Sequence, residues 1–268
     1  MGIVSSTHLI TSDITQLRQL FVNLYLVGTT DDWVLVDAGL PKMKKRIVDA
    51  ARIRFGNRTG PKASVMTHGH FDHVGSLKDM LKRKDIPVYA HHLEIPHLTG
   101  RADYPAMEPR VGGGAMALFS VAYPTAAINL HGRVLPLPDN GVIPEMPGWR
   151  WVHTPGHTVG HVSLFRDSDR ALLAGDAFVT TKNESFLAVA AQRKEISGPP
   201  ASGTPDWAAA RSSVRALAKL HPSVAATGHG PVMVGAELHR ELDRLATDFD
   251  RIAVPQHGRY ADTARSPS

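Results

Sequence analysis

The chain predicts an α/β protein built as a two-sheet sandwich, with two strand-rich halves that are each flanked by helices. Three observations carry this expectation. Strand-like and helix-like segments alternate from residue 21 to residue 91, the pattern of sheet layers covered by helices. A second set of short strands runs from 132 to 175. Two amphipathic helices, at 206–220 and 235–253, then enclose one more strand at 223–228.

In order, FVNLYLVG (21–28) and WVLVDAG (33–39) are β-rich apolar runs separated by TTDD, which reads as an antiparallel pair. PKMKKRIVDAARIRFG (41–56) offers proline as a helix start and sets Met43, Ile47, Ala50 and Ala51 on one face. ASVMT (63–67) is a short buried strand. GSLKDMLKRKD (75–85) is a helix with Leu77, Met80 and Leu81 inward, and PVYAH (87–91) is another strand. From 99 to 130 the pattern breaks into a glycine triplet, prolines and methionines, and 101–130 reads as an irregular loop beside a pocket. Strands resume at GRVLPL (132–137), WRWVHT (149–154), HVSLFR (161–166) and RALLAG (170–175). Asp206 is the expected N-cap of the helix at 206–220. SVAATG (223–228) is a strand, GAELHRELDRLATDFDRIA (235–253) one long helix, and 262–268 a disordered tail. The whole, 1–268, is expected to form a single domain.

Composition narrows the chemistry. The chain has no cysteine, which excludes disulfides, a thiol nucleophile and thiolate metal sites. Any transition metal must then be held by imidazole and carboxylate. No apolar run approaches the ~20 residues that span a bilayer, and the first residues lack a secretory pattern. MGIVSS fits the loose myristoylation pattern, but no polybasic segment follows. A cytoplasmic protein without a membrane partner is the expectation. The formal charge is +5 and the pI about 9.6. The basic residues are scattered, and PKMKKR (41–46) and LKRKD (81–85) carry no interleaved aromatics, so nucleic acid is not the expected partner.

One stretch stands out. VMTHGHFDHVG (65–75) places His68, His70, Asp72 and His73 within six positions, directly after a strand. A chance match to H-x-H-x-D-H in a chain with 15 histidines is on the order of one in a few hundred. Three later segments set a ligand-type residue beside glycine at a strand end, where α/β folds build their sites. These are HTPGHTVGH (153–161), LLAGDAF (172–178) and AATGHGP (225–231). Singly, Asp176 reads as a turn aspartate and His229 as a structural histidine. Four such segments in order point to one metal site.

In this order THGHFDHVG, HTPGHT, GDA and TGHG resemble the metallo-β-lactamase superfamily over roughly residues 20–250. The resemblance implies a four-layer αββα sandwich with two metals at one edge. It implies that His68, His70 and His157 bind the first metal, that Asp72, His73 and His229 bind the second, and that Asp176 bridges them. Such a ligand set suits Zn2+, with iron or manganese as alternatives. Two such ions share a hydroxide made available near neutral pH, and Asp72 is the residue placed to orient it, making Asp72 the catalytic candidate. Around this set, Asp37 is either a hydrogen-bond partner for a ligand imidazole or a turn aspartate. His153 and His161 are read as structural hydrogen-bonders. His91, His92 and His97 are read as surface histidines, with a place in the pocket lining as the alternative. Thr180, Thr181 and Lys182 are candidates to face substrate.

The superfamily hosts many activities, so its fold does not name a substrate. Secreted β-lactamases need an export signal. Many lactonases of the family carry tyrosine three residues after the bridging aspartate, where this chain has Val179. The glutathione-binding residues of glyoxalase-II-like thioesterases are not matched. Sulfur dioxygenases of the fold keep one iron, whereas both ligand sets are complete here. The expectation is a binuclear metallohydrolase cleaving a lactone, carboxylic ester or thioester of a small molecule. A phosphodiester hydrolase or an iron-dependent, sulfur dioxygenase-like oxidoreductase is the alternative. A homodimer is permitted but not required.

Overall fold

The computed structural model describes residues 5–56, 60–82, 85–109, 111, 124–125, 128–130, 132–181 and 194–261. Much of the irregular segment expected at 101–130, Lys182, and the tail at 262–268 lie outside these. The described part of that segment at 101–109 contains neither helix nor strand. The chain divides into two compact units, one formed by 1–104 and 126–149 and the other by 105–125 and 150–268. Among the described residues no helix is long and apolar enough to cross a membrane.

The first unit carries a seven-stranded sheet in sequential order. Its strands are β1 (Ser5–Leu9), β2 (Ile14–Gln19), β3 (Val22–Gly28), β4 (Trp33–Val36), β5 (Ala63–Val65), β6 (Val88–Ala90) and β7 (Val134–Pro136). The pairs from β1 to β4 are antiparallel and those from β4 to β7 parallel. Parallel neighbours need crossovers, and these hold the helices. They are α1 (Lys44–Phe55), α2 (Phe71–Val74), α3 (Leu77–Met80) and α4 (Ile95–Leu98). Ile47, Ala50, Ala51 and Phe55 turn α1 onto the sheet, and Phe55 stacks on Trp33 at 5.1 Å.

Strands β1 and β2 were not legible in the sequence. SSTHL carries almost no apolar signal, and ITQLRQ buries Thr15, Gln16 and Gln19 among its apolar residues. Two boundaries also differ from expectation. Pro41 does not open α1, because Lys42 takes a positive φ of 66°. The Met43 N–H instead donates to Ser76 Oγ, and the helix starts after it. Of the helix expected at 75–85, the described residues show the single turn α3, and a separate turn, α2, precedes it inside the histidine-rich stretch.

The second unit carries a five-stranded sheet in the order β12-β11-β10-β9-β8. The strands are β8 (Trp149–His153), β9 (Val162–Arg166), β10 (Ala171–Gly175), β11 (Val224–Thr227) and β12 (Met233–Val234). β10 and β11 are parallel, joined through helix α5 (Trp207–Lys219), and their register shifts between Leu173 and Gly175, directly before Asp176. The buried face of α5, with Trp207, Ala210, Val214 and Leu217, shares one core with Leu238, Leu242 and Leu245 of helix α6 (Gly235–Thr247). The long helix expected at 235–253 breaks at Asp248 (φ −104°, ψ 27°), and a last turn, α7 (Phe249–Ile252), restarts from the Asp248 carbonyl.

Asp206 caps α5 as expected, accepting the Ala209 N–H at 2.9 Å. Replacing it with alanine is expected to cost about 1 kcal/mol. In a protein of this size that lowers the melting temperature by roughly 2–4 °C. Differential scanning calorimetry of Asp206→Ala beside the parent checks this, and an unchanged midpoint would deny the cap its role.

Candidate metal centre

The two units each contribute a cluster of buried ligand-type side chains. In the first, the cluster grows from the carboxyl ends of two neighbouring parallel strands. Asp37 follows β4, and Thr67 to His73 follow β5. The Asp37 N–H donates to the Val65 carbonyl and the Ala38 N–H to the His73 carbonyl, so the two strand-end loops are zipped together. His70 caps the single turn of α2 in an extended conformation, and Asp72 and His73 lie within the turn. The His68 ring lies 4.8 Å from that of His70 and 4.2 Å from that of His73. Ligand atoms of His68 and His70, of His68 and His73, and of Asp72 and His73 lie within 4.8 Å of one another. All four predicted residues of this unit are therefore brought together. They are at most 8% exposed.

The hydrogen bonds behind these residues fix which nitrogen each imidazole presents. Asp37 Oδ1 accepts the Thr67 N–H at 2.9 Å, and Oδ2 accepts the Thr67 hydroxyl at 2.8 Å. Oδ2 also pairs with His73 Nδ1 at 2.9 Å. A carboxylate can only accept, so His73 carries its proton on Nδ1 and turns an Nε2 lone pair toward Asp72, whose Oδ2 is 4.0 Å away. The Thr67 hydroxyl, already donating to Asp37, must accept from His68 Nδ1 at 3.1 Å. His68 is thus held in the same tautomer. Asp37 is the imidazole partner that the sequence offered as one of two readings. Its own φ of 60° is a region that aspartate tolerates better than most residues.

In the second unit, His157, Asp176 and His229 come together at three loop positions following strands. Asp176 Oδ2 lies 3.4 Å from His157 Nε2 and 3.2 Å from His229 Nε2. The Thr204 hydroxyl donates to the Pro200 carbonyl at 2.8 Å and so accepts from His157 Nδ1 at 3.2 Å. His157 again offers Nε2. Thr204, which follows a short 3₁₀ turn (Ala201–Gly203), left no mark in the sequence as a site residue.

His161 acts as the structural hydrogen-bonder expected of it. Its Nε2 accepts the Asp176 N–H at 2.8 Å, which puts the ring proton on Nδ1, facing Thr154 Oγ1 at 2.8 Å. Thr154 then donates to Ser163 at 3.0 Å, and Ser163 donates to the Ala174 carbonyl at 2.9 Å. The chain of hydrogen bonds runs from the Asp176 N–H back to the end of β10 just before it, and so fixes the Asp176 backbone. His153 Nε2 bonds the Val159 carbonyl at 2.9 Å, again a structural use.

Other expectations are corrected. Thr180, a candidate to face substrate, is buried, and its hydroxyl has partners within the protein. It is spent on the His229 loop, donating to the Pro231 carbonyl at 2.6 Å with Thr227 Oγ1 at 3.0 Å. A Cβ at Gly230 (φ 98°) would stand 2.6 Å from that hydroxyl, so glycine lets the loop approach this closely. Thr181 is buried in the same segment, and Val179 pairs its backbone with Ser197. His92 is exposed, but His91 is buried against it, and His97 is half-buried because its ring stacks on Tyr104 at 4.1 Å.

The donor set fits a metal. Its groups are imidazole and carboxylate without thiol, they are buried, and the imidazoles of His68, His73 and His157 are tautomerically prepared through Nδ1. Two atoms each about 2.1 Å from one tetrahedral ion stand about 3.4 Å apart. The spacings of Asp176 Oδ2 to its two imidazole nitrogens, 3.4 and 3.2 Å, are of this size.

Comparison with known proteins agrees with this chemistry. The family described as the metallo-beta-lactamase superfamily matches residues 17–229. The chain is 41% identical over 233 residues to "Probable metallo-hydrolase YflN" of Bacillus subtilis, covering 86% of this chain and 88% of that protein. Among solved structures, TTHA1623 in a di-iron-bound form is similar at 26% identity and a TM-score of 0.56, covering 87% of this chain and 94% of that one. The metallo-β-lactamase FIM-1 from Pseudomonas aeruginosa, in a mono-zinc form, shares the fold at 16% identity and a TM-score of 0.60, covering 92% and 97%.

Proposed function

Because the chain belongs to the metallo-β-lactamase superfamily, we propose that it is a binuclear metallohydrolase cleaving a lactone, carboxylic ester or thioester of a small molecule. In this reading His68, His70 and His157 hold one divalent cation. Asp72, His73 and His229 hold a second, and Asp176 is shared. Zn2+ is the cation the imidazole-rich set favours. The di-iron form of TTHA1623 makes iron the alternative to test against it.

The observation that carries the reading is the placement of Asp176 Oδ2 beside both His157 Nε2 and His229 Nε2. One carboxylate oxygen set between two imidazoles suits a bridging role. Bound cations would supply a water acidic enough to attack at neutral pH and would polarise the scissile carbonyl. The chain's own part is orientation. Asp37 and Thr67 hold His68 and His73, Thr204 holds His157, and His161 holds the Asp176 backbone. In this reading Asp72, whose Oδ2 lies 4.0 Å from His73 Nε2, would also accept a hydrogen bond from the attacking hydroxide and keep it aimed.

Elemental analysis of the purified chain, followed by a panel of lactones, thioesters, aryl esters and phosphodiesters, tests this. Two equivalents of zinc or iron and turnover confined to carbonyl esters are expected, with activity lost on chelation and restored by added metal. Turnover of phosphodiesters alone, or one iron with oxygen uptake and no hydrolysis, would replace the proposal. A steep fall in affinity with salt would point to a polyanionic substrate instead.

A further inference from the structure

Between the two histidines of His68-Gly69-His70 lies a glycine whose peptide is gripped from behind. The Gly69 N–H donates to Tyr104 Oη at 2.9 Å and to Glu94 Oε2 at 3.1 Å. The Tyr104 hydroxyl in turn donates to the same Glu94 oxygen in a short hydrogen bond. Three groups thus close a ring of contacts around one backbone N–H. Glu94 is fully buried and Tyr104 nearly so. A Cβ at residue 69 would stand 2.4 Å from the phenol oxygen, so this contact needs glycine between the two histidines. The Tyr104 ring is wedged between two imidazoles, tilted against His70 at 4.6 Å and stacked on His97 at 4.1 Å. Burial, with the Glu94 charge beside it, pushes the phenol well above its ordinary pKa, and it stays a neutral donor.

Asp37 reaches His73 directly and His68 through Thr67. On the His70 side, Tyr104 packs its ring against the imidazole, and it shares the preceding peptide N–H with Glu94. We propose that Glu94 and Tyr104 form a positioning clamp for His70 that sets the affinity of the first metal position and leaves the second unaffected. This rests on the two-metal reading above, in which His70 serves the first cation only. Neither residue needs to touch a cation or substrate. Both act through the Gly69 peptide and the His70 ring.

The test is a cobalt(II) titration of the chelator-stripped full chain, read by d–d absorbance and calorimetry, with thermal unfolding in chelator as the measure of fold. The parent is expected to bind in two steps. Tyr104→Phe keeps the ring between His70 and His97 but removes the hydroxyl. It should weaken one step tenfold or more, the size of effect usual for groups behind a metal ligand, and leave the other within about twofold. Glu94→Leu should do the same, while Glu94→Gln, which keeps a neutral acceptor, should recover most of the loss. Should Tyr104→Phe not fold, the Glu94→Leu and Glu94→Gln pair answers the same question. Unchanged steps in the variants would overturn the clamp. So would equal weakening of both steps, since that is what general loosening predicts. A parent that binds no metal, or a single equivalent, would instead bring down the two-metal reading and the clamp with it.

Discussion

Asp176→Ala is expected to lose most bound metal and to lower turnover by roughly a thousandfold or more, about 4 kcal/mol of transition-state stabilisation. The size follows from the position. Asp176 is buried, and one oxygen lies between His157 Nε2 and His229 Nε2, so alanine removes an anionic ligand from both cations of the proposed pair at once. The fold should survive, because the backbone of residue 176 is anchored independently. Its N–H donates to His161, whose tautomer is set through Thr154 and Ser163 back to the Ala174 carbonyl. Thermal unfolding gives a second readout. A cation at a hundred times its Kd stabilises the native state by about 2.7 kcal/mol, so the parent's midpoint should rise with added zinc while that of Asp176→Ala should not. A variant that keeps its metal-dependent shift and full activity would remove Asp176 from the site.

What the sequence made legible follows from where the signal was local. H-x-H-x-D-H is dense because the loop after β5 and the helical turn it leads into carry four donors, and there the structure brings His68, His70, Asp72 and His73 together. His157, Asp176 and His229 were readable because each follows a strand and sits beside glycine. The groups that hold these ligands were harder to see. Asp37 had a strand-end address and could be suspected, yet Thr204, Glu94 and Tyr104 lie in a turn, a short helix start and an irregular segment where no periodicity operates. Their partners are 47, 25 and 35 residues away in sequence. Such contacts are properties of the folded topology. The same limit hid β1 and β2, whose pairing depends on neighbours and whose side chains mix polar with apolar. Thr180 misled for the opposite reason. Proximity in sequence to Asp176 suggested a substrate contact, but its hydroxyl satisfies loop carbonyls.

Asp37→Asn should be the most informative single-atom change in the first unit. Asparagine has nearly the shape of aspartate and tolerates the φ of 60° at this position, so backbone strain does not enter. What changes is the donor inventory. Oδ2 accepts from both the Thr67 hydroxyl and His73 Nδ1. An amide NH2 placed there confronts two donors. The conflict is relieved only if His73 moves its proton to Nε2 and the Thr67 hydroxyl turns toward His68, whose proton must then move as well. Both imidazoles would present N–H where lone pairs are needed. Turning the amide over instead sets its NH2 against the Thr67 N–H, leaving a buried donor unsatisfied at about 1–3 kcal/mol. Either outcome lowers metal affinity by roughly 10–100-fold. An aspartate-to-asparagine change behind a catalytic histidine elsewhere costs about ten-thousandfold through the wrong tautomer, and a loss in kcat/KM of roughly a thousandfold or more is expected here. Asp37→Ala, by contrast, leaves three buried donors without their acceptor and should chiefly unfold the unit. The contrast is the test. Asp37→Asn should fold with near-parental circular dichroism yet bind cobalt(II) weakly, and histidine proton NMR of the metal-free chain tells the two outcomes apart, with the His73 proton on Nε2 in the first and on Nδ1 in the second. If the proton stays on Nδ1 and the affinity is parental, the Asp37 carboxylate is not what prepares His68 and His73 for metal.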